Sequence, residues 1–315
     1  MKKTLSLIAL ALVLTLVFGA CAFAQPTYRI GFFVKDTTNS FWRYVVNGAS
    51  IEAAELGVEL IEYTPVEASN VEEQINLIED AITADLDAIC IVAVDSNAVI
   101  PALQKAMDAG IPVITFNSRV ALDGIKCFCG VENYDGYALM AEQVLKDMDY
   151  KGNVVIIEGV AAGYANIERV RAAKDVCAKY EGVTILDDQI GDNKRDQAMS
   201  VMENLLQTYG DEIDAVFAHN DNTGIGALQA IIDYGLEDSI IVAGFDGTVE
   251  GINSILNGGL TYSLDQSPYQ QGAFAVKAAV DVLNGKEIEF EIPTGGVLIS
   301  KENAQSILDE FYSTK

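Results

Sequence analysis

In the stretch "IVAGFDGTVEG", residues 241–251, small and apolar residues run into Phe245, and an acid and a glycine follow. Asp246 thus stands where a buried strand stops. A carboxylate there serves as a general acid, a metal ligand, a helix cap or a hydrogen-bond acceptor for something neutral. Other apolar runs end on comparable residues. "YRIGFFV" is followed by Lys35 and then by "NSFW", which brings Asn39, Phe41 and Trp42. "IPVITF" is followed by Asn117, Ser118 and Arg119. After "VVIIEG" come Tyr164 and, on the next helical stretch, Arg169. "AVFAH" leads to Asn220 and Asp221, and "LTYSLD" to Gln266. Flat polar side chains of this kind engage two neighbouring hydroxyls in a fork, and an aromatic face covers the C–H side of a sugar ring. The set suits a polyhydroxylated, uncharged ligand. A buried fork left unpaired costs roughly 1–3 kcal/mol, which lets such a site reject epimers.

Each residue also has a plainer role. Asn39 lies in a run of turn formers, Asn117 and Ser118 suit caps, and Arg169 has Glu168 and Asp175 as surface partners. Asp221 is expected to be the N-cap of the helix that "NDNTGIGAL" begins. His219, the sole histidine, is read as a packing or second-layer residue. Phe41 is expected to face the ligand, with its neighbour Trp42 turned another way. Lys35 is expected to pair with Asp36 in solvent; the alternative is that it reads an anionic sugar such as a uronate. Joint placement at strand ends, rather than any single member, gives the set its weight.

Catalysis fits poorly. A glycosidase needs two carboxylates flanking the bond, and Asp246 has no second acid with a paired role. One histidine does not support a Ser–His–Asp arrangement, and no GxGxxG or GxxxxGK[ST] loop is present to cradle phosphates. Asp246 has no partners for a metal, so neither a metal nor a cofactor is expected.

The elements that must position these residues alternate along the chain. Apolar runs recur at "YRIGFFV", "GVELIEY", "DAICIVAV", "IPVITF", "NVVIIEG", "GVTILDDQI", "AVFAHN" and "IIVAGFD". Helical periodicity covers 40–56, 70–84, 97–109, 166–180, 195–209, 222–234 and 248–257. Strands apolar on both faces belong to parallel sheets covered by helices, so this alternation predicts two doubly wound α/β domains. Ligands in such sheets sit beyond the carboxyl ends of the strands.

The chain has 315 residues, room for about two domains. Its formal charge is −26, and discounting Lys2 and Lys3 of the N-terminal segment leaves −28. Such a surface repels polyphosphate backbones, which argues against nucleic acid as a partner. The start of the chain, "MKK", an apolar run and "AFA" before Gln25, reads as a secretory signal peptide over residues 1–24. A second reading takes "FGAC" as a lipoprotein box with lipid attached at Cys21. Cys90, Cys127, Cys129 and Cys177 remain; the two thiols of "CFC" share one strand face too far apart for an unstrained bridge, and no essential disulfide is expected.

The motifs "NSFW", "GIPVITFN", "ERVRAA", "VFAHNDNTGIGAL", "VAGFDGT" and "DQSPYQQG", in this order, make the chain resemble the ribose- and glucose/galactose-binding family of periplasmic binding proteins over most of residues 28–300. The resemblance implies a type I fold, two doubly wound parallel-sheet lobes joined by a three-crossing hinge. The expected crossings are near Val131–Asn133, Gln266–Pro268 and Glu291–Pro293. It assigns 26–131 plus 267–290 to the N-terminal lobe and 132–266 plus 291–315 to the C-terminal lobe. It also implies binding roles for Asn39, Phe41, Asn117, Arg169, Asn220, Asp246 and Gln266. The expected partners are a monosaccharide and a membrane ABC permease, with the protein a periplasmic or extracytoplasmic monomer. Presentation of the ligand to a chemoreceptor or sensor kinase is the alternative. A lac-repressor-type regulator shares the fold but would carry a DNA-binding segment where this chain carries its signal peptide. Two departures stand out: Lys35 replaces a Ser or Tyr, and Asn193 replaces an aromatic, a wall that Tyr164 is expected to supply.

Overall fold

A computed structural model describes residues 28–36, 38–67 and 69–312. The expected signal peptide and Cys21 lie outside the described residues.

Five strands of the first lobe alternate with helices: β1 (Arg29–Phe33), α1 (Ser40–Leu56), β2 (Glu59–Tyr63), α2 (Val71–Ile82), β3 (Ala88–Ile91), α3 (Ile100–Asp108), β4 (Val113–Phe116) and β5 (Phe128–Gly130). With β11 (Glu291–Pro293) they form a parallel sheet in the order β11-β5-β4-β3-β1-β2. β1, β3, β4 and β5 are buried on both faces, whereas the edge strands β2 and β11 are partly exposed. Ile30, Phe32 and Cys90 pack towards one core with α1, while Phe33, Ile89 and Ile91 pack towards another with α2 and α3. The apolar runs thus reflect a sheet between two helical layers. The Asn39 side chain accepts from the Phe41 N–H at 3.0 Å to start α1, a cap worth about 1 kcal/mol. Gly57 ends it at φ 68°, a left-handed geometry that suits glycine.

The second lobe holds α4 (Asn133–Asp147), β6 (Gly152–Glu158), α5 (Tyr164–Cys177), β7 (Val183–Ile190), α6 (Arg195–Tyr209), β8 (Ala215–Ala218), α7 (Asp221–Tyr234), β9 (Ile241–Ala243) and α8 (Val249–Leu256). Its parallel sheet runs β7-β6-β8-β9. A short antiparallel pair, β10 (Ser263–Leu264) with β12 (Leu298–Ile299), and α10 (Ala304–Tyr312) complete it. The two doubly wound lobes match the expected fold class.

Besides the C-terminal α10, two helices escape the periodicity reading. One is α4, which has no side-chain cap. The other is α9 (Pro268–Leu283), which opens on a proline and packs against α1. The helices α1 and α9 touch backbone to backbone: a Cβ on Gly272 would lie 1.9 Å from the Val45 carbonyl oxygen, and one on Gly48 2.1 Å from that of Tyr269.

The chain passes between lobes after Gly130, at Asp265–Ser267, and between β11 and β12. The expected boundary at 290/291 needs correction. Residues 291–293 pair with Phe128–Gly130 in the first sheet, so the third passage follows Pro293. Cys90, Cys127, Cys129 and Cys177 are buried free thiols, and Cys127 Sγ lies 3.9 Å from Cys129 Sγ.

Candidate functional site

The carboxyl ends of both sheets face each other around one cavity. It is lined by Lys35, Asn39, Phe41, Trp42, Asn117, Ala165, Arg169, Asn193, His219, Asn220, Asp246 and Gln266, with about 350 Å³ of space between them, part of it open to solvent. A larger recess, about 1210 Å³ by the same measure, lies at the hinge by Arg119, Glu132 and Glu291, but it is shallow and open. Convergent polar groups from both lobes single out the smaller cavity.

Asp246 follows β9 at φ 132°, a conformation L-residues rarely adopt, and its backbone N–H donates to the Leu264 carbonyl at 2.9 Å. Strain held by surrounding bonds is common where a side chain must be aimed. Its Oδ1 accepts from Gln266 Nε2 at 2.6 Å and lies 3.9 Å from Arg169 Nη1. Burial raises its pKa; the Arg169 charge pulls the other way, and nearby Asp221 adds to the rise. Arg169 is 3% exposed. Its Nε donates to Asn133 Oδ1 and its Nη1 to the His219 carbonyl, both at 2.9 Å, and its guanidinium stacks 3.9 Å from the centre of the Phe245 ring. Burial lowers its pKa to about 10, so it stays cationic at neutral pH.

Gln266 sits on a passage between the lobes. Its Oε1 accepts from Asn117 Nδ2 at 3.1 Å, and the same nitrogen donates to Gln271 Oε1 at 3.2 Å. Asn117 takes φ 61° at the end of β4, a left-handed position that asparagine tolerates. Asn39 and Asn220 both cap helices through their oxygens: Asn220 Oδ1 accepts from the Thr223 N–H at 2.9 Å. Both residues line the cavity. Phe41 and Trp42, both in the expected set, border it with their rings turned edge to face at 4.9 Å and 89°.

Three further expectations change. Asp221 is not the N-cap; Asn220 is, in a capping box with Thr223. Asp221 is instead 1% exposed and accepts from the Thr248 N–H and hydroxyl, each at 2.8 Å, and from the Ser263 hydroxyl at 2.5 Å. It braces the turn that carries Asp246. Lys35 does not pair with Asp36, whose Oδ1 accepts from the Thr38 N–H and hydroxyl. Its Nζ turns into the cavity, 3.4 Å from Ser118 Oγ and 5.8 Å from the Trp42 ring centre. Tyr164 does not reach the cavity. It lines a separate groove with Arg119, Phe128 and Phe290, because α5 begins there and only its second turn points Arg169 inward.

The cavity also takes three residues outside the expected set, Ala165, Asn193 and His219. Asn193, at φ 60°, leaves its buried Oδ1 without a protein partner, as does His219 Nδ1. The sequence marked Asn193 only as a departure from the family pattern, and no strand-end signal pointed to it. Burial, with the charges of Arg169 and Lys35, holds the His219 pKa well below its usual value, so the ring is neutral.

Comparison with known proteins adds to this geometry. A family model described as the periplasmic binding protein domain matches residues 30–287. The ribose import binding protein RbsB of Bacillus subtilis (strain 168) is 32% identical over 302 residues, which cover 92% of this chain and 96% of that protein. An ABC transporter solute-binding protein from Actinobacillus succinogenes 130z with bound D-allose superposes with a TM-score of 0.83 at 30% identity, covering 89% of this chain and 99% of that one. One from Bacillus halodurans C-125 with bound myo-inositol gives a TM-score of 0.83 at 30% identity, covering 89% and 97%.

Proposed function

This chain belongs to the periplasmic binding protein family, and we propose that it captures a monosaccharide or related polyol between its lobes and delivers it to an ABC permease. The family is one of binding proteins, so the ligand leaves unaltered. Relatives named for ribose import, and solved relatives holding D-allose and myo-inositol, support the ligand class. The observation that carries the reading is the convergence of Asn39, Phe41, Asn117, Arg169, Asn220, Asp246 and Gln266 on one enclosed cavity from both lobes. Asn39, Phe41 and Asn117 come from the first lobe, and Arg169, Asn220 and Asp246 from the second. A ligand touching both lobes favours the closed arrangement, because the open one lacks half of these contacts. Asp246 accepts from ligand hydroxyls, Arg169 and the two capping asparagines donate, and Phe41 and Trp42 cover the apolar faces. No observation favours the sensory alternative.

The test is a thermal-shift panel of monosaccharides and polyols, followed by calorimetry on the best ligand. At least one compound raises the melting temperature, and Asp246→Ala abolishes its binding while the protein stays folded. Unchanged affinity in Asp246→Ala, or conversion of the compound into product, overturns the proposal.

A further inference from the structure

We propose that the ligand is a sugar acid, a monosaccharide carrying one carboxylate such as a uronate or aldonate, and that the Lys35 ammonium is the group that selects it. This rests on the reading of the cavity as a sugar site and narrows it. The charged side chains lining the cavity are Lys35, Arg169 and Asp246, two cations and one acid. Arg169 is the cation near Asp246, at 3.9 Å, and it also lies within the influence of Asp221. Among the described residues, no carboxylate pairs with Lys35. Its sequence neighbour Asp36 is turned to Thr38, and the polar contact of its Nζ is the Ser118 hydroxyl at 3.4 Å.

The electrostatics of the amine agree with the geometry. The Lys35 pKa is lowered to about 7 by burial and then by Arg169, with no carboxylate acting in the opposite direction. A buried ammonium without a counter-charge is costly, and proteins pair such groups. The remaining lining adds to the bias. Asn39 and Asn220, whose oxygens are committed to helix caps, line the same cavity as Lys35 and Arg169. A carboxylate bears a single charge and matches a single unpaired ammonium. A phosphate carries about −1.5 to −2 at neutral pH and is bulkier, which the small cavity disfavours.

Calorimetry on the purified mature protein tests this with matched pairs: galactose and galacturonate, glucose and glucuronate, ribose and ribonate, with glucose 6-phosphate as the phosphate arm. At least one acid is expected to bind roughly ten-fold or more tightly than its neutral parent, as charge-assisted hydrogen bonds do. Lys35→Met, with its fold checked by circular dichroism and thermal unfolding, is expected to erase that preference. Equal or tighter binding of the neutral parents overturns the inference while leaving the sugar-binding reading intact. Persistence of the preference in Lys35→Met, or tightest binding of the phosphate, overturns it as well. Failure of every neutral and acidic sugar to bind removes both readings together.

Discussion

Asp221 offers a direct test of how the site is held, because its carboxylate touches neither cavity nor solvent. Its two oxygens take three donors: the Thr248 N–H and hydroxyl and the Ser263 hydroxyl. Replacing Asp221 by Ala strands these donors in a region where water does not reach. At roughly 1–3 kcal/mol per unsatisfied buried group, partly relieved by rotation of the hydroxyls, the expected loss is about 3–5 kcal/mol. The turn also carries Asp246, so affinity for the ligand falls with stability. The isosteric Asp221→Asn separates charge from shape. Burial pushes the Asp221 pKa up to about 6 from 3.8. The folded state therefore holds this proton more tightly than the unfolded state. The group's favourable contribution is full below pH 3.8 and is lost as pH rises through 6. Asn does not titrate, so its stability relative to wild type improves between pH 4 and 7, by at most about 3 kcal/mol at 1.36 kcal/mol per pH unit. Urea unfolding at several pH values, with calorimetry on the ligand, reads both effects. An Ala variant within 1 kcal/mol of wild type, or an Asn-to-Asp difference flat with pH, refutes the reasoning.

Lys35→Met is expected to stabilise the unliganded protein by about 2 kcal/mol near pH 6, since it removes a buried ammonium whose native pKa is lowered to about 7. Between pH 7 and 10.5 the unfolded wild type holds a proton that the native state has released, so wild-type stability rises there and the variant's advantage shrinks; unfolding at pH 6 and pH 9 measures this. Gly272→Ala is expected to cost about 2–4 kcal/mol in urea unfolding, because its methyl group would meet the Val45 carbonyl oxygen at 1.9 Å and force α1 and α9 apart.

Much of the fold was legible because each buried strand is apolar along its length and each amphipathic helix carries its own period. α1 and α6 fall on their expected bounds. The elements passed over have physical reasons. α4 packs Gly136, Tyr137 and Met140 inward but has no capping side chain to announce it. β11 is three residues long with exposed ends, and pairing with β5, far away in sequence, defines it. For the site, the rule that ligands lie beyond strand ends located most of the lining. It failed where a side chain's direction depends on its partner. Lys35 turns inward because Asp36 is occupied by Thr38, and Asp221 turns inward because Asn220 already caps the helix. Tyr164 and Arg169 share α5, yet one faces a side groove and the other the cavity, since five residues along a helix point in different directions.

The network through Gln266 ties binding to the hinge. Asn117 at the end of β4 reaches Gln266 on the second passage, and Gln266 reaches Asp246 in the second lobe. A parallel path runs from the Asn117 carbonyl through Asn133, at the first passage, to Arg169. These cavity-lining groups are thus held by the segments that cross between the lobes. Opening the lobes has to strain or break these buried bonds unless the ligand-facing groups move with the crossings. On the proposed reading, substitutions at Asn133 and Gln266 are expected to alter both affinity and closure, whereas those at Asn39 and Asn220, each fixed within a single lobe by its own helix cap, are expected to alter affinity alone.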